Sequence, residues 1–295
     1  DGVPTRALEL TRARLEAGVV LELGGQIVLL LHLAMVDDEP FAAGQAMADK
    51  LGLVGESDAI RGVREAIVRA AKQTGPVLVR GETGTGKELV ASALHKASAR
   101  ANEPYITANM AAIPPTLAAS ELFGHAKGAF SGAHQANAGL FGRAHGGTLF
   151  MDEIGDTPLD VQAALLRVME TGEVQQVGAD KARIVDVRVI AATDADLDQA
   201  ITQGRFRGPL RYRLSNQEVV LPPLWARKDD IGRLLVHFVA HDLAAAGRGD
   251  ELKDQTAEET SWIPAALVAR LVRYGWPGNV RQLRSVARWL AGLDH

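Results

Sequence analysis

Cysteine is absent from the 295-residue chain, and with it go disulfides, thiolate metal sites and cysteine nucleophiles. A basic excess is missing too. The 32 Lys and Arg residues face 36 Asp and Glu, a formal net charge of −4, so no global field draws nucleic acid to this stretch of protein. The eight histidines are scattered, without the spacing of a metal cluster. The most apolar stretch, 19–36, is broken by Glu22, Gly24, Gly25, Gln26 and His32. That falls short of the roughly 20 nearly uninterrupted apolar residues a membrane helix requires. No signal peptide is expected ahead of Asp1, and no tandem repeat or low-complexity tract is evident. With 47% apolar and 23% charged residues, what remains is an ordinary soluble globular composition, long enough for about two domains. The expectation is a cytoplasmic piece of something longer at both ends, without a membrane segment.

Residues 1–36 read as a partial β domain. Val19-Val20-Leu21 and Ile27 to Leu31 flank Gly24-Gly25, a hairpin-like signal too small to close a sandwich. Residues 37–52 read as a linker of undetermined helicity. From Leu53 the pattern changes. Ser57 is placed to cap a helix with Ile60, Val63, Ile67 and Ala71 at helical spacing. Short apolar strands follow at Val77 to Val79, Tyr105 to Ala108, Thr148 to Met151, Val187 to Ala191 and Glu218 to Leu221, separated by helical segments. This alternation predicts an α/β core, 53–223, with a parallel sheet covered on both faces. Beyond Pro222-Pro223 the periodic segments, including Ile231 to Ala245 and Ala265 to Tyr274, are helical, predicting a small helical domain over 224–295.

Gly81-Glu82-Thr83-Gly84-Thr85-Gly86-Lys87 matches G-x-x-x-x-G-K. Its glycines let main-chain N–H groups converge on phosphates, and the helix that follows adds its positive end. The heptapeptide alone leaves a ligand-free glycine loop open; a strand directly before it and a helix directly after favour a phosphate cradle. Glu88 stands where a Ser or Thr hydroxyl normally reaches Mg²⁺, so the metal must lean on water and on a carboxylate elsewhere. Asp152-Glu153 ends the strand at 148–151, where a parallel sheet delivers ligand-binding side chains. Asp152 suits Mg²⁺ binding and Glu153 suits a general base for water, the alternative being a solvated acidic turn.

Together with Glu121-Leu122-Phe123-Gly124-His125, Gly128-Ala129-Phe130-Ser131-Gly132-Ala133, Leu221-Pro222-Pro223-Leu224 and Trp276 to Leu283, these strings resemble the AAA+ domain of bacterial enhancer-binding proteins. Those are the activators of sigma-54 RNA polymerase, and the likeness runs from about Leu53 to Ala291. It implies an AAA+ P-loop fold, a three-layer α-β-α core followed by a helical lid, and an ATPase using ATP and Mg²⁺. By the same resemblance Gly81, Glu82, Thr83, Gly84, Thr85, Gly86, Lys87 and Glu88 hold the nucleotide. Asn109 matches a switch asparagine that holds the general-base glutamate, and Arg281 matches a lid sensor of the γ-phosphate. Arg207 and Arg213 match arginines donated onto a neighbour's ATP, which implies a homo-oligomeric, hexameric ring. Gly128, Ala129, Phe130, Ser131, Gly132 and Ala133 match the GAFTGA loop that contacts sigma-54. An exposed Phe130 there suits an apolar partner; a core turn with Phe130 tucked inward is the alternative. DNA binding would fall to a domain outside this chain.

The sequence also departs from the family. Ser131 replaces Thr, Asp194 stands where Asn is usual, Gly208-Pro209 replaces an acidic pair, Arg211 an aromatic and Trp225-Ala226 a charged pair. Ionised Asp194 only accepts hydrogen bonds and adds negative charge near phosphates. Pro209 removes a donor between the two finger arginines. A regulatory nucleotide-binding module with little or no hydrolysis therefore stands beside the ATPase reading, whereas a general unfoldase or helicase loader fits the GAFSGA string poorly. Leu15 to Gly24 resembles the tail of a forkhead-associated domain, a phosphothreonine-reading β-sandwich.

Overall fold

The first described element starts at Thr11, whose carbonyl accepts the Leu15 amide at 3.1 Å and whose hydroxyl accepts the Arg14 amide at 3.4 Å. Helix α1 (Arg12–Ala17) follows. It corrects the expectation of β structure throughout 1–36: RARLEA consists of strong helix formers with a local cap. The two apolar runs that follow form the expected hairpin, β1 (Val19–Leu23) and β2 (Ile27–Leu31), antiparallel with Val19 opposite Leu31. This computed structural model describes residues 11–17, 19–23, 27–31, 51–131, 133–249 and 265–292; Gly24-Gly25, linker residues 37–50 and Gly132 lie outside them. The chain divides into two units, one of 51–53 and 62–222, the other of 1–50, 54–61 and 223–295.

Helix α2 (Asp58–Ala71) is capped by Ser57, whose Oγ accepts the Ile60 amide at 3.4 Å; Ile60, Val63, Ile67 and Ala71 are buried. In the larger unit come β3 (Val77–Arg80), α3 (Lys87–Lys96), β4 (Tyr105–Asn109), α4 (Pro115–Phe123), α5 (Gly139–Arg143) and β5 (Thr148–Asp152). Then follow α6 (Leu159–Thr171), β6 (Glu173–Gln175), β7 (Ala182–Ile184), β8 (Arg188–Thr193), α7 (Leu197–Thr202), α8 (Gly208–Leu214) and β9 (Gln217–Val220). Five strands pair in parallel in the order β4-β5-β8-β3-β9. The central β5, β8 and β3 are buried almost throughout, which requires cover on both faces and explains their unbroken apolar runs. Edge strands β4 and β9 are only partly covered. Leu78, Leu149, Met151 and Val189 from the sheet meet Leu122, Phe141, Leu165 and Leu210 from the helices in one core.

The register aligns the carboxyl ends. Arg80 lies opposite Thr193 and Asn109 opposite Asp152, so residues 81–86, 152–153 and 193–194 emerge along one rim. A loop between α4 and α5 is closed at its feet by mutual His125–Asn137 main-chain bonds of 3.1 and 2.9 Å. Val177 ties it to the β6–β7 segment through Ala126 N–H to Val177 O, 2.9 Å, and Val177 N–H to Gly124 O, 2.9 Å. Glycine is required at both feet. A Cβ on Gly124 (φ +85) would sit 2.3 Å from the Asn137 oxygen, and one on Gly139 (φ +68) 2.3 Å from the Gly124 nitrogen.

In the smaller unit, α9 (Asp229–Ala245), α10 (Ala265–Arg273) and α11 (Asn279–Leu290) bury Leu235, Val239, Leu271, Trp276 and Leu283 together. Asn279 adopts φ 50, a conformation asparagine tolerates, and its Oδ1 accepts the buried Leu224 amide at 2.7 Å. Asp230, 1% exposed, holds the chain before α2: its Oδ1 accepts the Glu56 and Ser57 amides at 2.7 and 3.0 Å, and its Oδ2 accepts the Ser57 hydroxyl at 2.7 Å. The β1–β2 hairpin packs Val20 and Leu30 against this same helical core. Among the described residues no helix is long and apolar enough to cross a membrane.

Candidate functional site

The glycine loop runs from the end of β3 into the first turn of α3, as the sequence predicted. Gly84 (φ 76) and Gly86 (φ 108) take left-handed conformations that only glycine adopts cheaply. Gly81 donates to the Thr193 carbonyl at 3.3 Å, so β8 anchors the loop's first residue. The buried Thr85 closes the loop on itself, its hydroxyl donating to Glu82 O at 2.7 Å and its amide to the same oxygen at 3.3 Å. Among the described residues the amides of Gly84 and Gly86 have no acceptor. They and the free amides of the helix start make a ready anion cradle.

Lys87 is 7% exposed, unusual for a lysine, and its ammonium has two contacts: the Gly81 carbonyl at 3.1 Å and Glu153 Oε1 at 3.6 Å. Glu153 follows the end of β5 in a left-handed conformation, φ 50 and ψ 50, rare for a side chain of its size. Its amide bonds the Asp152 Oδ1 at 3.0 Å. Burial pushes the Glu153 carboxyl above the usual carboxylate range; the Lys87 ammonium opposes this, while the charges of Asp194 and Asp152 reinforce it. A main-chain hydrogen bond from Asp194 pulls the other way. Asp194 is exposed just beyond β8, between the glycine loop and the acidic pair in strand order. A buried cation beside a carboxylate with raised proton affinity suits a group that takes a proton from water.

The arrangement fits ATP with Mg²⁺. Open amides and a buried ammonium face the loop, and Asp152 supplies a carboxylate beside them. Glu88 is exposed in the first turn of α3. Among the described residues no three His, Asp or Glu side chains converge, so Mg²⁺ would draw further ligands from water and phosphate.

The other sequence-predicted residues lie as follows. Asn109 is exposed at the end of β4, one strand from Asp152; its Oδ1 accepts the Ala111 and Ala112 amides at 3.0 and 3.3 Å and makes no bond to Glu153. Arg207 and Arg213 are exposed at the start and near the end of α8. They bond opposite ends of α6, Arg207 Nε to Leu159 O at 3.0 Å and Arg213 Nη2 to Met169 O at 2.8 Å, and neither pairs with Lys87, Asp152 or Glu153. Pro209 sits in the first turn of α8, where its missing donor is not needed, so the helix carrying Arg213 forms intact. Arg281 is exposed on α11 in the smaller unit.

Of the loop residues, Phe130 is 44% exposed rather than tucked into the core, its ring edge-on to His125 with centroids 5.0 Å apart. Ser120 Oγ lies 2.8 Å from the His125 Nδ1. Gly128 N–H meets Ala133 O at 2.8 Å; between them Ala129 is half-buried and Ser131 exposed. Gln162 was not singled out by sequence reasoning. Fully buried on α6, it donates to Thr157 O and Arg205 O and accepts the Arg207 amide at 2.8 Å, fixing the backbone at Arg207. The available signal was a polar residue on the apolar stripe of Val161, Leu165 and Val168.

The sigma-54 interaction domain family matches residues 53–220, and the AAA+ ATPase lid domain matches 226–295. DNA-binding transcriptional regulator NtrC of Escherichia coli (strain K12) is 50% identical over 238 residues, 81% of this chain and 49% of that protein. Phenol regulator MopR of Acinetobacter guillouiae is 43% identical over 265 residues, 88% of this chain and 45% of that protein. The crystal structure of NtrX from Brucella abortus in complex with ATP is 36% identical, with TM-score 0.71, covering 84% of this chain and 52% of that one. The chain thus spans about half the length of the curated relatives it matches. With the family matched over more than half its residues and the fold shared with a relative solved in complex with ATP, the chain belongs to the sigma-54 interaction domain family and carries an AAA+ ATPase lid.

Proposed function

We propose that this chain is the ATP-hydrolysing engine of a sigma-54-dependent transcription activator. The observation that carries the proposal is the buried Lys87 ammonium, held between the Gly81 carbonyl and Glu153 at the carboxyl rim of the sheet. The amides of Gly84, Gly86 and the start of α3, together with the Lys87 ammonium, grip the β- and γ-phosphates. Asp152 would hold Mg²⁺, which would supply charge neutralisation at the phosphate oxygens. Glu153 orients water and takes its proton, its raised proton affinity favouring that transfer. Arg207 and Arg213 reach a neighbouring copy's nucleotide in a homo-oligomeric, hexameric ring, Arg281 reads the γ-phosphate, and Asn109 restrains Glu153 in one nucleotide state. The 128–133 loop, with Phe130 outward, presses on sigma-54 RNA polymerase in the cytoplasm. Promoter DNA is bound by a domain outside this chain.

ATP turnover by the purified chain tests this. Lys87→Ala is expected to lower phosphate release at least 100-fold; equal release from both proteins would sink the proposal. A second reading, a nucleotide-binding module with little hydrolysis, is favoured by one observation: the Asp194 charge bears on Glu153. Asp194→Asn separates the two. A large gain in turnover supports the second reading, and a small change from good initial activity supports the first.

A further inference from the structure

Gln162 joins two parts of the candidate site that are distant in the chain. It is 0% exposed, on the buried stripe of α6 that carries Val161, Leu165 and Val168, and its side-chain amide is fully used. Nε2 donates to Thr157 O at 2.7 Å and to Arg205 O at 3.0 Å, and Oε1 accepts the Arg207 amide at 2.8 Å. Two carbonyls and one N–H admit only one orientation of the group, so it is a fixed three-way tie. In apolar surroundings each of these bonds is costly to break.

One end of the tie is the acidic turn. Thr157 closes the turn that opens at Glu153: the Asp156 amide bonds Glu153 O at 3.0 Å and the Thr157 amide bonds Ile154 O at 3.2 Å. In its middle, a Cβ added to Gly155 would meet the Ala195 Cβ at 3.2 Å and Thr193 Oγ1 at 3.4 Å. The turn therefore packs against the strand end whose carbonyl anchors Gly81. The left-handed Glu153 marks it as a strained segment with a relaxed arrangement within reach. The other end is the arginine segment. α6 holds Arg207 twice, by its amide through Gln162 and by its guanidinium through Leu159 O at 3.0 Å, and holds Arg213 through Met169 O at 2.8 Å. A shift of residues 153–157 moves the start of α6 and, through Gln162, the backbone at 205–207 together.

We propose that Gln162 is a positioning residue that couples a copy's own acidic turn to the Arg207 it offers a neighbour, so that the state of one site sets how well the next is completed. This coupling rests on the reading of Arg207 as acting on a neighbouring copy's nucleotide.

Equal mixtures of two variants of the full chain test it. The acceptor is Arg207→Ala, which keeps its own site but offers no arginine. The donor is either Lys87→Ala, whose cradle is disabled, or Glu153→Gln, which holds nucleotide without taking a proton from water. Neither acceptor nor donor is expected to turn ATP over alone, so phosphate released by a mixture reads the donor's Arg207 at the acceptor's site. The two donors are expected to restore kcat to extents that differ about fivefold or more. Gln162→Met added to the donors should bring them within about twofold of each other, whereas the same change in the acceptor should leave their ratio intact. A merely structural role lowers every mixture and does not move that ratio. Gln162→Glu, which keeps an oxygen for the Arg207 amide and, ionised, donates to neither carbonyl, should do the same and keeps the test open where Gln162→Met fails to fold. Donors that rescue equally, or a ratio that survives the Gln162 changes in the donors, overturn the coupling. A mixture without turnover from either donor, beside an active wild-type chain, overturns the trans reading of Arg207 and the coupling with it. An inactive wild-type chain overturns the ATPase reading on which both stand.

Discussion

Replacing Asp230 by alanine should unfold the smaller unit far more readily than an ordinary surface change on α9. The carboxylate is 1% exposed and accepts three bonds, from the Glu56 and Ser57 amides and the Ser57 hydroxyl, all between 2.7 and 3.0 Å. An orphaned buried donor costs about 1–3 kcal/mol. Three would reach the top of that range threefold, but water entering the space left by the carboxylate and rotation of the Ser57 hydroxyl recover part. We expect about 3–5 kcal/mol for Asp230→Ala. Asp230→Asn keeps one oxygen for the two amides and should cost only about 1–2 kcal/mol. Ser57→Ala removes one of the three bonds and the 3.4 Å cap on Ile60, for about 1 kcal/mol. The assay is urea unfolding followed by tryptophan fluorescence, because Trp225, Trp262, Trp276 and Trp289 all belong to the smaller unit. An Asp230→Ala chain within about 0.5 kcal/mol of wild type, or one no worse than Asp230→Asn, would refute the reasoning.

Further perturbations probe the larger unit. Gly124→Ala meets both a left-handed φ and an oxygen at 2.3 Å, so scanning calorimetry should show a loss of about 2–5 kcal/mol; an unchanged melting point would show the loop feet to be looser than described. Gln162→Ala orphans the Arg207 amide and two carbonyls, an expected loss of about 2–4 kcal/mol in denaturant titration, with turnover falling further than unfolding explains; a loss below about 1 kcal/mol rejects this role. Because burial, then Asp194 and Asp152, raise the Glu153 carboxyl, Asp194→Asn should move the acid limb of the pH–turnover profile to lower pH; an upward or absent shift contradicts it. The same raised carboxyl adds stability that is fully present below the ordinary carboxylate range and is lost as pH rises through the folded value. Glu153→Gln should flatten that slope in melting scans from pH 4 to 8.

The glycine loop, the five strands and the acidic pair were legible because their signals are local. Buried parallel strands must be apolar without interruption, and a cradle needs glycine at fixed offsets. The three-residue strands β6 and β7 were missed, being too short to show a period, and α4 was hidden by the mixed sequence after Pro114-Pro115. Concern over Pro209 came from reading its missing donor without knowing that it would fall in a helix's first turn. Gln162 and Asp230 escaped notice for another reason. Their partners lie 45 and 174 residues away in sequence, and a buried polar side chain declares its purpose only once the fold supplies the other half of the bond.

The paired glycines at 124 and 139 carry a last consequence. The strand-like bridge between His125 and Asn137 and the glycine-on-glycine contact below it constrain the mount, while the Ala126–Val177 bond and the close approach of Ala129 to Gly178 hold the loop to the β6–β7 segment. An insertion at either foot is therefore expected to disturb the helices and sheet beneath.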